Sequence, residues 1–131
     1  MLKEIGLTAS RRLTVPQGQR VYVARNRGNN EIAPSPELLK EFKSKSAVYG
    51  DTAEGHNKAF KEIRYESRFR KQILSNPEAM KKLERLSKES RNRDIYLICY
   101  EGPTKACHRR ILLRIAEECF GAKIKIEGVE P

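Results

Sequence analysis

Residues Asp94–Phe120, DIYLICYEGPTKACHRRILLRIAEECF, hold an apolar strand, a polar turn and an amphipathic helix in immediate succession. Ile95, Tyr96, Leu97, Ile98, Cys99 and Tyr100 form an unbroken apolar run, the pattern of a strand covered on both faces, as in a parallel sheet. Glu101, Gly102, Pro103 and Thr104 interrupt it with turn chemistry. From about Lys105, Ile111, Leu112, Ile115, Ala116 and Cys119 recur at helical spacing, and Gly121 stands where a left-handed C-terminal cap belongs. A strand that feeds a helix through a short loop presents unpaired N–H groups and the positive end of the helix dipole beyond its carboxyl end. Open α/β sheets bind ligands there. Cys107, His108 and Arg109 fall at that point.

Working outward, Arg20 to Ala24 carries the β-branched run Val21, Tyr22, Val23 and Ala24 and reads as a second strand. The following loop bears Arg25 and Arg27, two cations that reach the same site if the strands are parallel neighbours. Met1 to Leu7 alternates only in part and allows a first strand. Ser35-Pro36-Glu37 is a helix start with cap, first-position proline and acidic first turn. Val48 to Gly55 reads as a loop. A longer helix is predicted from His56 to about Leu74, with Phe60, Ile63, Phe69 and Ile73 toward one side. Asn76-Pro77-Glu78 opens another, and Ala122 to Glu127 alternates as a half-exposed final strand. The pattern predicts a single α/β domain over residues 1–131, a layered sandwich whose small, mainly parallel sheet is flanked by helices. The helical stretch at about 35–90 reads as an insertion or lid beside that sheet.

Composition narrows the function classes. The formal charge is +10, from 27 Lys and Arg against 17 Asp and Glu. Between Asn57 and Arg93 stand 12 basic and 5 acidic residues, so that segment carries +7 of the total. Such a field suits phosphate-bearing small molecules or nucleic acid, and it equally suits solvated helix faces. No apolar run approaches the ~20 residues a membrane helix needs, and the N-terminus lacks a secretory pattern. A soluble cytoplasmic protein without a membrane partner is expected. Three cysteines without a secretory signal argue against a disulfide framework.

The Cys99-Tyr100-Glu101 strand end followed by Cys107-His108-Arg109 resembles the signature of the domain of unknown function 488 family. Arg20 to Arg25 with Arg27-Gly28, Ala33-Pro34-Ser35 before Glu37-Leu38-Leu39, Phe60, and Arg64-Tyr65 resemble its YeaO-like members. The similarity runs from about Arg20 to Phe120. Members commonly carry an aspartate beside the arginine that Arg25 matches, and here Ala24 and Asn26 flank it. The resemblance implies the fold and the site, Tyr65 included, and attaches no reaction or cofactor to them.

Cys107 is the leading chemical candidate, because a helix dipole and cationic neighbours stabilise thiolate over thiol. The same residue also fits the start of the buried stripe continued by Ile111 and Ile115. Cys99 is either core or a resolving thiol or ligand for Cys107, and Cys119 lies too far along the helix to join them. Glu101 and His108 are candidate proton carriers, Arg109, Arg25, Arg27 and Tyr65 candidate anion or substrate contacts, and Arg110 a solvated face residue. Adjacent helical residues point about 100° apart, so Cys99, Cys107 and His108 read as an incomplete zinc set and no metal is expected. Three functions follow: a thiol-dependent enzyme on a phosphate-bearing or nucleic-acid-linked substrate, a non-enzymatic DNA- or RNA-binding protein, or a Cys99/Cys107 redox switch.

Overall fold

A computed structural model describes residues 1–130. Four strands, β1 (Leu2–Gly6), β2 (Arg20–Tyr22), β3 (Ile95–Cys99) and β4 (Ile124–Lys125), form one sheet in the order β2-β3-β1-β4. Every pairing is parallel. The helices are α1 (Leu7–Ser10), α2 (Pro36–Tyr49), α3 (Ala53–Glu62), α4 (Tyr65–Leu74), α5 (Pro77–Glu89) and α6 (His108–Phe120). The α/β class and the small parallel sheet flanked by helices agree with the sequence. No helix among the described residues is long and apolar enough to cross a membrane.

The crossover from β3 through α6 to β4 lays α6 on the sheet. Ile95 and Leu97 are buried from the strand side, and Leu112, Leu113, Ile115 and Ala116 from the helix side. Such a buried aliphatic side chain contributes about 1.5–3 kcal/mol of transfer free energy. Helices α4 and α5 pack on α6 through Phe69, Ile73, Ala79 and Leu83. Local signals act as read: the Ser35 hydroxyl accepts from Leu38 N (3.1 Å), Asn76 Oδ1 accepts from Glu78 N (3.0 Å), and Gly121 ends α6 at φ 65°.

The expected helix from His56 to Leu74 is two helices. Arg64 stands in the left-handed region at φ 56° and separates α3 from α4. On one continuous helix Phe60 and Tyr65 would diverge by about 140°. The break brings their rings into a stack at 4.1 Å and buries both, with Ile63 and Phe69. The expected loop from Val48 to Gly55 shrinks to residues 50–52, because α2 runs on to Tyr49 and Thr52 caps α3 through Gly55 N (3.0 Å).

Two strands are shorter than their sequence patterns. Val23 N still donates to Ile98 O (2.9 Å), but Val23 O turns aside to accept from His108 Nε2 (2.8 Å), and β2 ends. In place of a longer β4, Glu127 N and Gly128 N donate to Glu4 Oε2 at 3.2 and 3.3 Å.

Candidate functional site

The site lies beyond the carboxyl ends of β2 and β3, with α2 and α3 over it. It is a pocket of about 490 Å³. Phe42, Phe60 and Tyr65 form an aromatic wall, Arg25, Lys43 and Lys105 supply cations, Asp51 and Glu101 supply carboxylates, and Cys99, Cys107 and His108 meet at one place.

That meeting follows from the backbone at Cys107. The residue was expected within the first turn of α6. It is instead the N-cap, extended at φ −148° and ψ 147°. The 100° divergence of neighbouring helical residues therefore does not apply to Cys107 and His108. Cys107 Sγ lies 3.7 Å from His108 Nδ1, Cys99 Sγ lies 4.0 Å from it, and all three donor atoms are within 4.8 Å of one another. The set that seemed incomplete from spacing is brought together, and its three atoms have the chemistry to hold a metal ion.

His108 is fixed in orientation. A carbonyl only accepts, so Nε2, 2.8 Å from Val23 O, carries the proton, and Nδ1 faces the two sulfurs. Phe69 supports the ring edge-on at 5.3 Å.

Electrostatics divides the two thiols. Burial pushes the Cys107 thiol up, but the Cys99 S–H, His108 and the Arg109 guanidinium outweigh it and hold Cys107 well below the ordinary thiol value. Cys99 is pushed up by donating to Cys107 and by its own burial. The pair thus holds one proton on Cys99 and favours thiolate at Cys107. Tyr65 is raised well above an ordinary phenol, by burial first and then by the neighbouring sulfurs and Glu101, so it stays protonated.

The loop entering α6 is clamped from two directions. From α3, His56 Nε2 donates to Ala106 O (2.7 Å), Asn57 Oδ1 accepts from Ala106 N (2.7 Å) and Asn57 Nδ2 donates to Thr104 O (3.0 Å). From below, Arg110 donates to Lys105 O (2.7 Å), Gly102 O (3.1 Å) and Val129 O (2.8 Å). Gly6 at the end of β1 lies against Glu101, where an added Cβ would meet the Glu101 carbonyl at 2.7 Å.

Several expected positions need correction. Arg110 was expected on a solvated face; it is fully buried, and its Nε donates to Glu4 Oε2 at 2.7 Å. Arg109 was expected to hold an anion at the helix start. Its side chain is 1% exposed, its Nε donates to Glu4 Oε1 at 2.7 Å, and it is not part of the pocket lining. It acts on the site through charge: burial pushes its guanidinium down, and Cys107 and Glu4 more than restore it. Cys107 joins the buried stripe and also belongs to the site. Its sulfur is buried and reached through the pocket.

Arg25 and Tyr65 do line the pocket, with Arg25 also donating to Pro34 O at 3.2 Å. Arg27 lies apart, its guanidinium 4.9 Å from the Tyr22 ring centre and 5.9 Å from that of Tyr100. Cys119 is exposed on α6, and all three cysteines are free. Of the basic residues between Asn57 and Arg93, Arg68, Arg70, Lys81, Lys82, Arg85 and Arg93 are ion-paired with carboxylates.

Sequence reasoning overlooked Glu4, His56, Asn57 and Arg110 as site-building residues. Glu4 shares its strand face with the fully buried Leu2, and His56 precedes Phe60 and Ile63 at the i, i+4, i+7 spacing of an apolar helix face. Those phases were the available signals.

No curated protein and no solved structure matches the chain. Residues 8–118, which include the loop that carries Cys107 and all but the last two residues of α6, match DUF488-N3a, described as the active DUF488-N3 subclade. The chain therefore belongs to the DUF488 family.

Proposed function

We propose that the protein is a thiol-dependent enzyme acting on a phosphate-bearing or nucleic-acid-linked substrate, with Cys107 as nucleophile. The observation that carries this reading is Cys107 Sγ at the pocket, 3.7 Å from an imidazole nitrogen whose partner nitrogen is tied to Val23 O. That is the nucleophile, base and orienting group of covalent catalysis. The Cys107 thiolate, its proton already given up to His108 Nδ1, bonds to the electrophilic centre, and the leaving group departs with that proton from His108. Arg25 and Lys43 bind the substrate's negative charge at the rim, where Lys105 is paired with Asp51 at 3.1 Å, Phe42 and Tyr65 bound its apolar part, and Glu101 serves a second proton transfer with water.

A non-enzymatic nucleic-acid binder is the weaker reading, because carboxylates already pair six of the basic residues that suggested it. Alkylation tests the nucleophile. At neutral pH iodoacetamide modifies Cys107 faster than the exposed Cys119, and inorganic phosphate or a nucleoside monophosphate slows modification at Cys107 alone. Slower modification of Cys107 than of Cys119 in the folded, metal-free protein removes this reading.

A further inference from the structure

We infer that Cys99, Cys107 and His108 form a three-coordinate protein site for a thiophilic divalent cation, zinc above all, whose fourth position opens into the pocket and whose occupancy excludes the reactive thiol. The exclusion rests on the nucleophile reading above; the cation site does not.

With Zn–S near 2.3 Å and Zn–N near 2.0 Å, a tetrahedral ion sets its sulfur and nitrogen ligands about 3.5 Å apart and its two sulfurs about 3.8 Å apart. The two sulfur-to-nitrogen distances here are 3.7 and 4.0 Å, and no separation within the trio exceeds 4.8 Å. Small rotations of side chains close the remaining gap. Soft thiolates with one imidazole select zinc over the hard cations magnesium and calcium.

The surroundings have the form that a ligating histidine takes. Its remote nitrogen donates to a backbone carbonyl, Val23 O, which fixes ring and tautomer so that Nδ1 is the ligand. All three donors are buried yet line the pocket, so one tetrahedral position faces a space that water or a substrate oxygen enters. Three protein ligands with an open fourth position distinguish a reactive site from a closed structural one. Binding expels the Cys99 proton and any on Cys107. Two thiolates neutralise the ion, and the buried Arg109 keeps its ion pair with Glu4, a carboxylate it shares with Arg110. A sulfur whose electron pair is held by zinc does not attack carbon or phosphorus. Cation and electrophile therefore compete for the same atom.

Cobalt(II), added to the reduced, metal-free full chain, reads the site without reference to activity. The expected result is one ion per chain, with the sulfur-to-cobalt charge-transfer absorption and visible bands of a tetrahedral centre, displaced by zinc. The charge-transfer band is lost in Cys107→Ser, weakened in Cys99→Ala and kept in Cys119→Ser, with circular dichroism confirming that each variant is folded. In parallel, zinc suppresses iodoacetamide labelling of Cys107, a chelator restores it, and Cys119 is unaffected. Absence of the charge-transfer band, or a band unchanged in Cys99→Ala and Cys107→Ser, overturns the site. Zinc bound with Cys107 labelling unchanged overturns the exclusion. The two proposals fail separately: fast labelling without cobalt binding removes the cation, and cobalt binding with slow metal-free labelling removes the nucleophile.

Discussion

Glu4 of β1 and Arg110 of α6 meet with neither side chain open to solvent: the arginine Nε lies 2.7 Å from Oε2 while the same carboxylate accepts from Arg109 through Oε1. One carboxylate thus joins the central strand to the helix that begins at the cysteine. The same Oε2 accepts from Glu127 N and Gly128 N, so the C-terminal segment is tied to the same point.

Removing that charge leaves two buried guanidinium groups uncompensated. Glu4→Gln is expected to lower stability by about 3–5 kcal/mol, read from urea denaturation at neutral pH. Acid gives an independent check. Burial pushes the Glu4 carboxyl up, but Arg110 and Arg109 more than offset it and hold the folded value below the usual one. The unfolded chain then binds more protons in that interval, so this contribution is complete above the unfolded value near 4.3 and is lost as pH falls through the folded one. The acid limb of the stability profile becomes shallower in Glu4→Gln. An unchanged limb contradicts the assignment.

Gly128 leaves room for the Arg110 guanidinium, and a Cβ there would come within 2.0 Å of it. Gly128→Ala is expected to cost about 1–3 kcal/mol through forced displacement of the arginine, with faster amide exchange between Pro103 and Lys105. Gly102→Ala, where a Cβ meets nothing within 4 Å, stays within about 0.5 kcal/mol of the parent. Equal effects at the two positions count against the packing argument.

Arg64 holds a left-handed conformation between α3 and α4. Arg64→Gly relieves that strain and is expected to raise stability by about 0.5–1 kcal/mol, the relief exceeding the added freedom of the unfolded chain. A loss in thermal denaturation shows that the Arg64 side chain does something its backbone does not.

Asn57 holds both sides of the loop before Cys107. In Asn57→Ala the Ala106 amide is expected to exchange about tenfold faster, the equivalent of one hydrogen bond of about 1.4 kcal/mol. Exchange at Ile111, inside α6, stays at the parent rate. Acceleration at both positions indicates general loosening and sinks the clamp.

The elements written in short stretches were legible. The β3 run, the caps at Ser35 and Asn76, and the glycine stop at Gly121 depend on neighbours within a few residues, so periodicity and cap chemistry suffice. The helix break at Arg64 was not, because its cause is the stacking of Phe60 on Tyr65 against a common core. Cys99, Cys107 and His108 were legible as candidates while their convergence was not, since it depends on one extended residue at the helix entrance. Arg109 read as an anion contact and Arg110 as a surface cation because their common partner, Glu4, is more than a hundred positions away in the chain.

The outermost strands are three and two residues long, while the strongly apolar Ile95–Cys99 segment lies inside, paired on both sides. A stray chain finds almost no free ladder on which to add itself, and the stretch best suited to self-association is shielded for as long as the native state persists. Fibril growth should therefore wait on global unfolding, with a lag that tracks the population of open molecules instead of the total concentration.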